Sequence, residues 1–424
     1  MLPEIVTEIP GPSSRELAAG LRDFECRNVT YLDEEFPVFW EEAEGTNVWD
    51  ADGNRFLDLT AAFGVAGLGH RPPLITKAMK IQSGRLLHGM GDVHPSALKV
   101  DVCRRLSTLT FERWNCGRGK TILCNSGFEA VEAALKTALL ATGKAGVVTF
   151  DGCYHGLGFG TLSVDGAFDK FRAPFRKQLA ENGLRLPFPH ILDAEADLSA
   201  IGKDLEKAIA GGKIGAVLVE PIQGRGGKRV PADGFLEMLR AVCDATGTVL
   251  IFDEIYTGFN RTGRLFACEH WEVVPDLICL GKALTGGFPL SACVGSATVM
   301  DSWPVSDGEA LHTSTYLGHP VGCAMALASM AQHEDPGVAA MVNRNSEALR
   351  SALAPLGQVR GKGMMLGLEL DGRDPGAVIK GCLKEGLIVL ADGEQGEVLA
   401  LTPPFDLSDE EISFAAEVIE RQFE

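Results

Sequence analysis

Basic residues are in short supply in this chain. It carries 39 Lys and Arg against 57 Asp and Glu over 424 residues, a formal net charge of -18. That balance excludes the broad basic surface needed to wrap nucleic acid or an anionic membrane, so neither partner is expected. Cys-x-x-Cys pairs are also missing. The 11 cysteines are scattered singly, which speaks against a disulfide framework or a zinc site. They read instead as small buried hydrophobes in a reducing compartment. No apolar run reaches membrane-spanning length. The N-terminal stretch MLPEIVTEIPGPSSREL shows no basic region followed by an apolar core, so no signal peptide is read and the expected location is the cytoplasm. No Gly-x-Gly-x-x-Gly follows a strand-like run, which weakens a nicotinamide-dependent reductase. Internal repeats and low-complexity segments are absent too.

What is present is ordinary in amount: 46% hydrophobic and 23% charged residues, as in a globular protein of roughly two to three domains. The order is informative. A polar arm of about 35 residues precedes two alternating runs around Asp52-Gly53, which read as a β-hairpin, and then a glycine-rich loop from Phe63 to His70. Short apolar runs follow, each ending in small or polar residues. The run 121–124 leads into Asn125-Ser126-Gly127-Phe128 and a helical pattern stopped at Gly143. The run 147–150 leads into Tyr154-His155-Gly156-Leu157, and 215–219 into Glu220-Pro221-Ile222-Gln223-Gly224-Arg225. Residues 161–212 read as a variable excursion with a helix over 198–210, and a further helix is expected over 234–246. The run 249–252 meets Asp253-Glu254-Ile255, and 277–280 meets Gly281-Lys282. From about 335 the pattern alternates helix 338–356, strand 365–370, helix 377–385, strands 388–390 and 398–401, and helix 409–423. That alternation suggests a smaller α/β unit.

In an α/β sheet, chemistry collects beyond the carboxyl ends of the strands. Asp253 and Lys282 are offered at one such edge. An amine nucleophile beside a fixed carboxylate suits Schiff-base chemistry: the lysine binds an aldehyde cofactor and the acid keeps a pyridinium nitrogen protonated. Each residue alone has a plainer reading. Lys282 could be a solvated surface lysine. Ser126-Gly127-Phe128, at a helix start, could be a phosphate site or an ordinary Ser cap. Tyr154 could stack on a flat ring or pack in the core. His155 could be a base or a hydrogen-bonded structural histidine.

Taken together and in order, these motifs resemble the class III pyridoxal-phosphate aminotransferases, the group of ornithine, acetylornithine, 4-aminobutyrate and omega-amine transaminases. The likeness runs from about Trp49 to Pro404. It implies fold type I: a large domain with a mostly parallel central sheet plus a smaller α/β domain. The division expected is 1–70 for the arm and part of the small domain, 71–330 for the large cofactor domain and 331–424 for the C-terminal small domain. It implies pyridoxal 5'-phosphate as cofactor and a transaminase that moves an amino group from a primary amine or amino acid to a 2-oxo acid. Lys282 is then the aldimine lysine of a ping-pong cycle, and Asp253 the partner of the ring nitrogen. Ser126, Gly127 and Phe128 would lie at the phosphate and Tyr154 would stack on the ring. Glu220, Gln223 and Ile255 would belong to the ring environment. Thr315, in His312-Thr313-Ser314-Thr315-Tyr316, would reach the phosphate of the other subunit, which makes a homodimer with shared sites. On local grounds Thr315 is equally a helix-start hydroxyl.

The departures from the family bear on substrate. Leu157 stands where many members carry an arginine for the substrate carboxylate. Ala400, before Pro403-Pro404, stands where ornithine-type members carry another. Arg225 replaces their gating glutamate, and Phe128 replaces a usual threonine. Phe63, Tyr154 and Leu157 should make one side of the pocket apolar. Arg225 is either a surface arginine or the receptor for the keto-acid carboxylate. An aminomutase or amino-acid epimerase of the same family is the alternative activity, and a non-catalytic regulator is disfavoured by the intact Lys282 and Asp253.

Overall fold

The computed structural model describes residues 1–164 and 169–424. The expected excursion 161–212 therefore includes four positions, 165–168, outside the described residues. A seven-stranded sheet forms the centre. Its strand order is Gly119–Cys124, Ser291–Ser296, Leu277–Leu280, Val249–Asp253, Ile214–Val219, Gly146–Phe150, Gly183–Leu186. All run parallel except Ser291–Ser296, which is antiparallel to both neighbours. Ile214–Val219, Val249–Asp253 and Leu277–Leu280 are buried along their whole length. Helices cover both faces, so these strands read as continuous apolar runs rather than alternating ones. Gly127–Thr142 packs on one face and ends at Gly143, whose φ of +69° suits a glycine stop. Leu198–Ala210 and Phe235–Thr246 cover the other face.

A second apolar core joins the C-terminal elements. The strands Val359–Lys362, Met365–Glu369, Val398–Leu401 and Leu390–Asp392 form one sheet, covered by the helices Pro336–Leu353 and Asp409–Phe423. The expected single strand at 388–390 is divided. Leu387–Ile388 adds in parallel to Arg55–Asp58 of the N-terminal hairpin, and Leu390–Asp392 pairs with Val398–Leu401. Each short piece follows the sheet it can extend, and Val389 is buried between them.

The first residues are strapped onto this part of the chain. The Met1 ammonium lies 2.7 Å from Glu411 Oε1, Glu4 and Arg55 pair as an isolated bridge, and the N–H groups of Val6 and Thr7 donate to Asn54 Oδ1 at 2.8 and 3.0 Å. The arm then forms the helix Pro12–Phe24. The stretch expected to be a glycine-rich loop begins as a tight left-handed turn. Ala61, Ala62 and Phe63 have φ of +45°, +49° and +62°, a conformation unfavourable for side chains with a Cβ and found preferentially at functional sites.

Candidate active site

The parallel strands deliver their terminal residues to one edge. Asp253 is the last residue of Val249–Asp253 and lies beneath a cavity of about 590 Å³, a volume suited to a small molecule. Its Oδ2 is 2.8 Å from His155 Nδ1, with both side chains buried, and its Oδ1 accepts the Ile255 N–H at 3.1 Å. Burial alone pulls the imidazole pKa down, but the Cys153 thiol and the Asp253 carboxylate more than reverse this and hold it well above the ordinary histidine range. His155 is thus the carboxylate's partner rather than a base open to substrate. The neighbouring Glu254 does different work. It turns into the protein and accepts from Thr257 Oγ1 and from the N–H groups of Ala267 and Cys268 at 2.6, 2.8 and 2.7 Å.

Glu220, beyond Ile214–Val219, accepts the Tyr154 N–H and the Gly224 N–H, both at 2.9 Å, and so ties two strand-end loops together. Burial pushes its carboxyl up to about 7, against the opposing pull of His155. Lys282 follows Leu277–Leu280 with φ of +43°. The residue is half-buried, and its Nζ stands 3.9 Å from the centre of the Tyr256 ring, a cation–π distance. Burial lowers its ammonium below the ordinary lysine range, although Tyr256, Asp253 and Glu220 oppose the shift. A lowered pKa enlarges the share of free amine, the form that attacks a carbonyl.

Tyr256 links this floor to a side wall. A Cβ on Gly64 would come 2.4 Å from Tyr256 Cε2, and one on Gly224 would come 2.4 Å from Cδ1, so the ring sits in a slot that only glycine leaves open. Its hydroxyl is 3.0 Å from Thr402 Oγ1 and takes a hydrogen bond from Lys228 Nζ at 3.3 Å. Lys228 is fully buried and donates to Asp392 Oδ2 at 2.7 Å. Arg225 Nε lies 3.6 Å from the other oxygen of Asp392, and its guanidinium carbon 5.8 Å from the Tyr154 ring centre.

Of the residues singled out from sequence, Phe63, Gly127, Phe128, Tyr154, Leu157, Glu220, Arg225, Asp253, Ile255 and Lys282 all line this cavity. Phe63 and Leu157 are exposed at its mouth, and Ala400 closes one side with a buried methyl group. Three do not line it: Ser126, Gln223, and Thr315, which is exposed on this chain. Gln223 is buried and donates to the Asp151 carbonyl at 2.7 Å, bracing the loop behind. Sequence reasoning missed Thr60, Tyr256, Asp392 and Thr402. Tyr256 lies three places after Asp253 in the same strand-end turn and was within reach of the strand-end argument. Asp392 was not, since nothing local connects it to Lys228. A larger cleft of about 880 Å³ is lined by side chains of both charges, including Arg113, Glu269 and Glu347, and holds none of the strand-end residues.

The donors suit a planar, phosphorylated ring. Ser126 and Glu129 form a capping box, with Glu129 Oε2 accepting the Ser126 N–H at 3.2 Å, at the N-terminus of the 16-residue helix Gly127–Thr142. Its first-turn N–H groups and dipole favour an anion. A Cβ at Gly127 would press on Ile255 at 3.1 Å, and one at Gly156 would meet Phe128 Cβ at 2.5 Å, so backbone comes close at this rim.

Residues 30–423 match the family model described as aminotransferase class-III. The chain is 34% identical over 444 residues to the 4-aminobutyrate aminotransferase of Mycobacterium leprae, covering 99% of this chain and 97% of that protein. It is 34% identical over 384 residues to the acetylornithine aminotransferase of Methanopyrus kandleri, covering 90% and 92%. A solved amine transaminase from an uncultivated Pseudomonas species, in its pyridoxal-phosphate-bound form, superposes with a TM-score of 0.85 at 27% identity over 94% of this chain and 98% of that one.

Proposed function

The chain belongs to the class-III aminotransferases, and from that premise we propose that the strand-end floor of its cavity performs the chemistry while the wall around Arg225 selects the substrate. The protein is a fold type I, pyridoxal-phosphate-dependent transaminase that transfers an amino group from an amine or amino acid to a 2-oxo acid. When bound, the cofactor supplies an electron sink for the substrate carbon. The observation that carries the division is the placement of a lysine amine, a buried acid and that acid's histidine beyond strand ends of one sheet, all facing one cavity.

Lys282 is the amine that holds the cofactor covalently, and its Nζ moves the proton at the substrate carbon. Asp253, fixed by His155 and the Ile255 N–H, holds charge against the ring nitrogen. Ser126, Gly127 and Phe128 hold the phosphate at the helix N-terminus. Tyr154 stacks on the ring, while Glu220 and Ile255 complete its surroundings. Thr315 completes the phosphate site of a second subunit in a homodimer with shared sites. In support, Leu311 and Tyr316 flank Thr315 with 71% and 59% of their surface exposed, and the Tyr316 ring lies 5.2 Å from that of His88, next to the exposed Leu87. Such apolar exposure marks an interaction face. An active monomer in light scattering would overturn the dimer.

The domains divide as 1–70, 71–330 and 331–424. The location is cytoplasmic, supported by 11 cysteines that are all free. Among the described residues no helix is long and apolar enough to cross a membrane.

For substrate, Phe63, Tyr154 and Leu157 offer an apolar side, and Ala400 leaves no cation at its position. A carboxylate placed against Leu157 or Ala400 would lie unpaired at a cost of about 2–5 kcal/mol. Ornithine or 4-aminobutyrate in the pose that uses those positions is therefore disfavoured, and a longer primary amine fits better. Arg225 receives the carboxylate of the 2-oxo acid. A panel of donors and acceptors tests this. Arg225→Ala should raise KM for pyruvate or 2-oxoglutarate by about tenfold. An unchanged KM removes Arg225 from the role, and a wide preference for ornithine or 4-aminobutyrate refutes the argument from Leu157 and Ala400.

A further inference from the structure

Lys228 is a buried lysine that the chemistry above does not use. It is fully buried, has φ of +55°, and packs so tightly that a Cβ on Gly367 would come 3.1 Å from its Cγ. Burial pulls its ammonium down, but Asp392 and Tyr256 more than reverse this, so it is a standing cation. Its partner Asp392 lines the cavity with a nearly buried side chain, 5% exposed. The two oxygens of Asp392 are treated unequally: Lys228 donates to Oδ2 at 2.7 Å, whereas Arg225 Nε is 3.6 Å from Oδ1. The longer distance is beyond a hydrogen bond, and Arg225 Nε has no hydrogen-bond partner among the described residues. The backbones at this corner are joined, since the Gly393 N–H donates to the Arg225 carbonyl at 2.9 Å. The Arg225 side chain is 35% exposed and lines the cavity.

We infer that Lys228 and Asp392 are specificity-determining residues: Lys228 occupies Asp392 and thereby leaves Arg225 open to the carboxylate of a 2-oxo acid. The inference rests on the reading of Arg225 as the carboxylate receptor. The physical argument is competition for one acid. A buried carboxylate without a counter-ion is strongly unfavourable, so Asp392 takes the nearest available cation. With Lys228 present, that need is met from behind the wall. Two cations then face one carboxylate, and the surplus positive charge sits on Arg225, at the cavity. Without Lys228, Arg225 becomes the sole counter-ion of Asp392 and must be pulled away before substrate can use it. The same surplus admits the anionic end of a substrate and refuses a second ammonium. Asp392, though an acid on the cavity wall, is therefore not a receptor for a diamine.

The test uses the holoenzyme and steady-state kinetics with pyruvate and 2-oxoglutarate. Lys228→Met should raise KM for the 2-oxo acid by about tenfold, the equivalent of one charge-assisted hydrogen bond that Arg225 must surrender, with kcat at saturation little changed. If that variant does not fold, Lys228→Gln, which keeps a donor but loses the charge, should show the same direction. Adding Asp392→Asn to either should bring KM back to the parent value, because the competing acid is gone. A parental KM in the single variant overturns the inference. So does a raised KM that persists in the double variant, which would mean that Lys228 attracts the substrate directly. Arg225→Ala, run in parallel, separates the failures: if it leaves KM unchanged, the receptor reading itself is wrong, and if it alone raises KM, only the role of Lys228 and Asp392 falls.

Discussion

Lys282 and Lys228 approach the same tyrosine ring, at 3.9 and 4.5 Å from its centre, and both have left-handed backbones. What else they touch separates them. Lys228 is closed off and paired with Asp392 at 2.7 Å, which raises its pKa. Lys282 is half-buried at the cavity floor, and burial lowers its pKa. An ion pair holds a lysine charged and chemically quiet, whereas desolvation without a direct partner frees its lone pair. On the proposed reading, one region of the pocket carries the reactive amine and the other a fixed charge that shapes recognition.

The contrast breaks most sharply at Lys282. Lys282→Ala should lose at least about 10⁴-fold in turnover, since nucleophile and proton carrier vanish together; amine turnover at the parent rate would refute the assignment. Asp253→Asn should cost about 10²–10³-fold in kcat with little change in KM. The wall variants at Arg225 and Lys228 are expected to do the reverse, and the kcat-against-KM split read from initial rates decides between floor and wall.

Glu220 sharpens the electrostatic side. Its folded pKa of about 7 lies above the ordinary 4.5. Between those values the native state holds a proton that the unfolded chain has released. The stability this group contributes is therefore full below about pH 4.5 and falls as pH rises toward 7, by roughly 3 kcal/mol in the cofactor-free protein. Glu220→Gln should flatten that part of a urea-midpoint-against-pH curve; an unaltered slope would contradict the buried acid. The smallest effect is expected at Tyr256→Phe, which keeps the ring but removes the hydroxyl shared by Lys228 and Thr402. A loss of about 1–2 kcal/mol in urea unfolding is expected, with the chemistry of Lys282 retained.

The same division marks what was legible in the amino-acid order. The floor was readable because each of its residues directly follows an apolar run that becomes a buried parallel strand; Asp253 after 249–252 and Lys282 after 277–280 needed only the rule that such strands end at the site. The wall was not, because its contacts join distant parts of the chain. Lys228 reaches Asp392 across 164 positions, and Tyr256 reaches Thr402 across 146. Arg225 stood out by its charge, but its neighbour Asp392 comes from a strand whose place depends on how 387–392 divides between two sheets. The glycine slot around Tyr256 was equally hidden, since Gly64 and Gly224 read as turn residues until the ring is seen between them.

Borohydride reduction of the yellow holoenzyme, followed by peptide mass mapping, tests the central claim most directly, because both lysines near Tyr256 are candidates for the same covalent link. The account predicts that the reduced cofactor is found on the peptide carrying Lys282 and nowhere else. Its recovery on Lys228, or on any other lysine, would contradict the assignment of chemistry to the floor and recognition to the wall.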